Sequence, residues 1–147
     1  MATLAFSSAG STVSISAGIP ATYDGTGFGS LTYTRIGEVT DIGALGKSFS
    51  LITHVPVDQA FTFKLKGIAN SGQLALKGAR VTTDAGQIIL LAAVNSFAPY
   101  AVRITLQNGT NLYCQCLVMD YVTAVGGAGV ITAFDSKLEL SGDIVTV

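Results

Sequence analysis

Charge is what this sequence has least of. Only 12% of its 147 residues are Asp, Glu, Lys or Arg, about half the share of an ordinary soluble domain. The net charge is −1, with no basic stripe. That excludes tight grip on a phosphate backbone, which needs clustered Lys and Arg. Tryptophan is absent and Tyr and Phe are scattered, which argues against the aromatic platform of a carbohydrate-binding module. There is one histidine, His54, and no nucleophile elbow precedes any serine, so a Ser-His-Asp hydrolase is excluded. The carboxylates are dispersed, and no enzymatic site is expected. Cys114 and Cys116 with one distant histidine fall short of the roughly four ligands of a structural zinc. Two apart on a strand, they share a face and read as buried free thiols. No metal or cofactor is expected.

Long apolar runs are also missing. The longest, Ile88 to Val94, is far below the roughly 18 residues of a membrane-spanning helix. The opening MATLAFSSAG lacks the basic and apolar regions of a signal peptide, so folding in a reducing cytoplasm is expected.

Gly, Ser and Thr stand where charge is missing, and the mean hydropathy is +0.54. A lone domain of this kind would be poorly solvated. Other subunits are therefore expected to cover much of the surface. The length suits one domain, residues 1–147.

Along the chain, residues 1–9 read as a flexible arm. Ser11 to Ala17 alternates as a strand. Ile19 to Ser30, with Pro20 and three glycines, reads as a loop. Leu31 to Thr40 is strand-like. Residues 41–66 read as a long loop region with possible strands, Ser48 to Val57 being extended and Ala60 to Gly67 alternating. Gly72 to Val81 alternates around Leu74 and Leu76. One helix is expected at about 84–95, with Asp84 as N-cap and Gln87 completing a capping box. Its centre, IILLAAV, has no polar face. One side should pack on its own sheet while the other meets a neighbouring subunit.

The strands around Gln107-Asn108-Gly109 can be put in register. A two-residue turn would mix apolar and polar faces. A three-residue loop with Gly109 left-handed pairs Val102 with Cys114 and Ile104 with Leu112. Arg103, Thr105, Asn111, Tyr113 and Gln115 then face outward. After the GGAG loop, Val130 to Leu140 sends Phe134, Leu138 and Leu140 one way and Asp135, Lys137 and Glu139 the other. A face of mixed charge is solvated or lines a wet channel. The reading is of about seven strands and one flanking helix, a β-sandwich or small barrel.

Three motif fragments carry little. Gly43-Ala44-Leu45-Gly46-Lys47-Ser48 has Asp41 where a phosphate-binding loop needs its first Gly, and an extended segment follows where that loop needs a helix. GTGFG at Gly25 to Gly29 lacks the strand-to-helix setting of a dinucleotide site. Asn108-Gly109-Thr110 is a turn rather than a glycosylation site.

The order of these features resembles the tail tube (major tail) proteins of long-tailed bacteriophages, most closely the lambda-like siphophage type. The resemblance lies in AGSTVSISAGIPATYDGTGFGSLTYTRIGEVTDI, GQLALKGARV, DAGQIILLAAV and VRITLQNGTNLYCQCLVMDYVTAVGGAGVITAFDSKLELSGDI. It implies the tail tube fold, a β-sandwich or small barrel with a flanking helix. It also implies a structural virion protein, folded in the host cytoplasm before joining the virion tail. Six subunits form a ring, and rings stack into a tube that conducts double-stranded DNA without tight binding. The implied partners are other copies of the chain and the tape measure, tail tip or initiator, and tail terminator proteins. The resemblance leans to a tail without a sheath, and the extra immunoglobulin-like domain of some relatives is not expected. Candidate ring-to-ring contacts are Leu4 and Phe6 in the arm and Phe49, Leu51 and His54 in the loop, segments expected to order on assembly. Removal of the arm should leave a folded subunit that cannot form tubes. Candidate core or within-ring contacts are Ile88, Ile89, Leu91 and Val94. The nearest alternatives are a tail terminator or the tube protein of type VI secretion. A β-sandwich binding module is the more distant one.

Overall fold

The computed structural model describes residues 4–147, and its fold is mainly β. In chain order the elements are β1 (Thr12–Ser16), α1 (Gly25–Gly29), β2 (Thr34–Arg35), β3 (Val39–Asp41), β4 (Ser48–His54), β5 (Phe63–Asn70), β6 (Gln73–Ala79), α2 (Ala85–Val94), β7 (Tyr100–Thr105), β8 (Asn111–Val118), β9 (Val122–Ala124) and β10 (Ala133–Thr146). The main sheet runs β2-β1-β7-β8-β10-β6-β3, with β9 added beside β10, while β4 and β5 pair apart from it.

The two edge strands, β2 and β3, are consecutive in sequence. Only Ile36, Gly37 and Glu38 lie between them. The sheet therefore curls until its edges come together, which makes a half-barrel. Small-barrel geometry with one substantial helix is what the sequence led us to expect. Strands with one face on a core alternate in and out, and Leu74, Leu76, Phe134 and Leu138 alternate in this way into the core.

Helix α2 closes the half-barrel against the strap at 36–38. Asp84 caps it, accepting from Gln87 N at 3.0 Å and from Gly37 N at 3.1 Å. Gly86 lets the helix lie directly on the chain: a Cβ there would overlap the Arg35 carbonyl oxygen and sit 2.6 Å from Ile36 Cα. Leu90 is fully buried below. The expected capping box does not form. The Gln87 side chain is 3% exposed and is used in the core. Its Oε1 accepts from Val81 N (2.9 Å) and the Tyr121 hydroxyl (3.0 Å), and its Nε2 donates to the carbonyls of Gly37 (3.1 Å) and Ala79 (3.0 Å). Buried strap and strand ends need these partners more than the N-cap does. Asp84→Ala removes both the cap and the strap contact and should destabilise the fold by about 2 kcal/mol in urea unfolding. A change within error would show that the cap does not anchor α2.

The register of β7 and β8 is as expected. Val102 faces Cys114, Ile104 faces Leu112, and Gly109 has φ +89. Leu106 N donates to Thr110 O at 2.9 Å, which closes the three-residue loop.

Other expectations need correction. The loop at 19–30 contains the helix α1. Its glycines disfavour helix, but Asp24 caps it through Gly27 N at 2.7 Å, and Phe28 is buried beneath it. Tyr113, expected to face outward, is buried with Phe28 and Ala101 in a second small core, its ring stacked 5.7 Å from that of Phe28. Thus α1 covers part of the face opposite α2. Leu31 to Thr40 is two strands, because the chain crosses there from one sheet edge to the other. The final strand starts at Ala133, after Val130, and continues to Thr146 through a bulge, where the pairing with β8 shifts between Ser141 and Val145.

Candidate assembly surface

The long loop expected at 41–66 is mostly a projecting hairpin of β4 and β5. In it Leu51 faces Lys66, Ile52 faces Leu65, Thr53 faces Lys64, and His54 faces Phe63. Directly opposed residues share a face. Ile52, His54, Phe63 and Leu65 therefore form one side. Leu51, Thr53, Lys64 and Lys66 form the other. Phe49 joins the second side, with the Lys66 ammonium 4.0 Å from its ring centroid. Every residue of β4 is exposed, as is all of β5 except Gly67. Leu51 is 65%, Leu65 64% and Ile68 84% exposed. A two-stranded hairpin is marginal alone in water, and one with apolar groups on both faces calls for a cover.

The hairpin is tied to the body at its base. Lys47 Nζ lies 3.4 Å from Asp143 Oδ1, Ser71 Oγ donates to the Gly142 carbonyl, and Leu140 N donates to Gly72 O at 3.0 Å. The Ile144 N–H, and after it Lys47, hold the Asp143 carboxyl below its usual range. These contacts gather on the β10 bulge, where Gly142 has φ +84. The Tyr23 hydroxyl braces the same bulge, 2.6 Å from Asp143 O and 3.1 Å from Ser141 O.

A second apolar area lies on α2. Ile88 and Leu91 point outward and are exposed, while Ile89 and Val94 are half-buried against the core. In the arm, Leu4 and Phe6 are exposed; Met1 to Thr3 lie outside the described residues. On the sheet face opposite α2, Lys77 stands in register with Asp135, and Gln73 Nε2 donates to Glu139 Oε1 at 2.6 Å. Lys137 lies between them on β10. Two lysines and two carboxylates leave this strip without net charge.

Among the described residues no group of three or more His, Cys, Asp and Glu gathers to hold a metal, and no helix is long and apolar enough to cross a membrane. Both cysteines are buried thiols. Burial pushes Cys114 up to about 12 and raises Cys116 as well. A group whose pKa is raised on folding stabilises fully below its unfolded pKa and loses that contribution as pH rises towards its folded value. The urea midpoint should thus fall as pH is raised from about 9 towards 12. Neither thiol should react with a thiol reagent at pH 8 until urea unfolds the chain. Fast native reaction would place them at the surface.

No protein-family model matches the sequence, and no curated protein matches it. Solved structures do. A chain in the cryo-electron-microscopy structure of the anti-feeding prophage (AFP) baseplate, 6-fold symmetrised, superposes with a TM-score of 0.70 at 14% identity, over 100% of this chain and 97% of that one. A chain in the structure of an extracellular contractile injection system, the PVC sheath/tube terminator in its extended state, gives 0.62 at 12% identity, over 93% and 92%. The chain shares the mainly β fold of these two chains.

Within this fold the candidate residues separate into three places. All of Phe49, Leu51 and His54 are on the hairpin, the first two on one side and His54 on the other. Ile88 and Leu91 share the outer side of α2. Leu4 and Phe6 stand on the arm. Sequence reading missed Ile52, Phe63, Leu65 and Ile68 as surface residues, although apolar groups at both odd and even positions of a strand were the available signal. Gln87 and the covered Tyr113 left no such signal, because Gly37 and Tyr121, which share the Gln87 amide, and Phe28, which covers Tyr113, lie far away in sequence.

Proposed function

We propose that the chain is a structural, non-enzymatic subunit of a tail-type tube. Copies associate side by side into hexameric rings, and the rings stack around a channel for double-stranded DNA. The observation that carries this reading is the β4–β5 hairpin, a clamped projection with apolar side chains exposed on both faces. Isolated in water it is a liability; between copies it is a joint. The outer side of α2 offers a second contact, as a ring with both lateral and axial neighbours requires. The 6-fold symmetrised baseplate assembly of one structural neighbour supports a hexamer. The charge-balanced strip of Lys77, Asp135, Lys137 and Glu139 is the candidate channel wall, because a conduit must not hold what passes. In this reading the tape measure, tail tip and terminator proteins are its partners, and the virion tail is its location. One neighbour comes from a contractile system with a sheath, so a sheathless tail is not part of the proposal.

Electron microscopy of the concentrated protein tests it. Stacked six-fold rings with an open channel are expected. A monomeric binding protein, or a closed two-fold dimer without a channel, would contradict it. A second reading, a ring that caps a tube, is favoured by the sheath/tube terminator assembly of the other neighbour. Single rings that never stack would select it.

A further inference from the structure

The projecting hairpin continues a ladder of the main sheet. Asp41 of β3 faces Lys77 of β6, and Ser48 of β4 faces Asn70 of β5. Six residues separate these pairs on each strand, 42–47 on one and 71–76 on the other. One register therefore runs from the sheet into the hairpin, and it opposes Gly46 to Gly72. The two are close. A Cβ on Gly72 would meet only the Gly46 carbonyl oxygen, at 3.9 Å, and one on Gly46 would meet nothing. Gly72 has φ +80.

The chain on the near side of this pair is fixed. Ile42 and Leu45 pack against the main core, and β6 pairs with β10 from Gln73 onward. The Gly72 carbonyl accepts from Leu140 N, so any turn of the hairpin falls on the backbone bonds just before it. On the far side stand only β4 and β5, exposed on both faces. Two glycines opposed at one level of a ribbon place no side chain there to resist bending, and their backbones have the widest freedom. A cleft of about 530 Å³ lies between the hairpin base and the β10 bulge, with Phe49, Ala69 and Leu140 in its lining. It is room to move into.

Two side chains hold the hairpin to that bulge, one from each strand and each next to a glycine of the pair. Lys47 Nζ meets the Asp143 carboxylate, and Ser71 Oγ donates to the Gly142 carbonyl. An ion pair as exposed as Lys47–Asp143 holds weakly, as a releasable contact should.

We propose that the β4–β5 hairpin is a hinged arm: it swings as a unit about Gly46 and Gly72, and Lys47 and Ser71 latch it to the β10 bulge in the free subunit. The hinge is a property of one subunit. Its use, to set the angle at which the joint meets a neighbouring copy, rests on the assembly reading above. Spin labels on Asp58→Cys at the hairpin tip and Asn108→Cys on the body, both exposed positions, report the swing by pulsed dipolar spectroscopy of the dispersed subunit. Cys114 and Cys116 are buried and stay unlabelled. One narrow distance is expected with the latch intact. Lys47→Ala with Ser71→Ala should replace it by a broad range, while labels along the hairpin, on Ser48→Cys and Asp58→Cys, keep their distance. Lys47→Ala alone, at an exposed side chain, should give a partial broadening without lowering the urea midpoint. A tip-to-body distance that neither change alters overturns the latch. A broadened distance along the hairpin means melting in place of swinging and overturns the hinge. Either failure leaves the tube reading standing, because electron microscopy of the assembled protein tests that separately.

Discussion

Replacing Gln87 by alanine destabilises the fold by about 4 kcal/mol, more than any surface change could. The cost comes from unmet hydrogen bonds. Gln87 is almost wholly buried and serves Val81 N, the Tyr121 hydroxyl and the carbonyls of Gly37 and Ala79. Each buried group left without a partner costs roughly 1–3 kcal/mol, less where water can enter. These groups also hold together the strap between the two sheet edges, the end of β6 and the start of α2, so losing them loosens the closure of the half-barrel. In urea the midpoint falls, and the melting temperature drops by roughly 8–16 °C for a chain of this length. Gln87→Glu keeps the size but removes the two donors facing Gly37 and Ala79, and it should be equally damaging. A loss below about 1 kcal/mol for the alanine variant would mean that water replaces the amide and that the network is peripheral.

The second large effect is on assembly and leaves folding alone. Ile52→Asp combined with Leu65→Asp places carboxylates at two directly opposed positions on the hairpin face that carries no lysine. Both side chains are at least half exposed, so the subunit loses little when they change. In the assembled state each apolar side chain contributes roughly 1.5–3 kcal/mol on burial, and the carboxylates add desolvation. The contact should weaken by at least about 100-fold. Sedimentation should find folded, unassembled subunits with an unchanged urea midpoint. Normal particles would remove the hairpin from the interface, and a collapsed midpoint would make it part of the core.

Much of the fold could be read because its signals are local. The Gln107-Asn108-Gly109 loop and the apolar face of Val102, Ile104, Leu112 and Cys114 determine one register together. Asp84 and the seven apolar residues from Ile88 announce α2. Where the sequence misled, a distant partner decided. Gln87 has the spacing of a capping box, but distant Gly37 and Tyr121 claim its amide. Tyr113 has the phase of an outward residue, but Phe28, 85 positions earlier, covers it. Strand 31–40 divides because both sheet edges need a piece of it. Of the candidate surface, the helix residues were legible from the absence of a polar face. The hairpin was legible only as a loop region, since neither the pairing of β4 with β5 nor the exposure of both faces follows from alternation alone.

Hydrogen exchange at residues 48–70, compared between assembled and dispersed protein, tests the central claim most directly. If the hairpin is the joint between copies, its amides slow markedly on assembly while those of the β7–β8 pair, already buried, change little. Particles that remain intact while the hairpin exchanges as fast as in the free subunit would contradict the account.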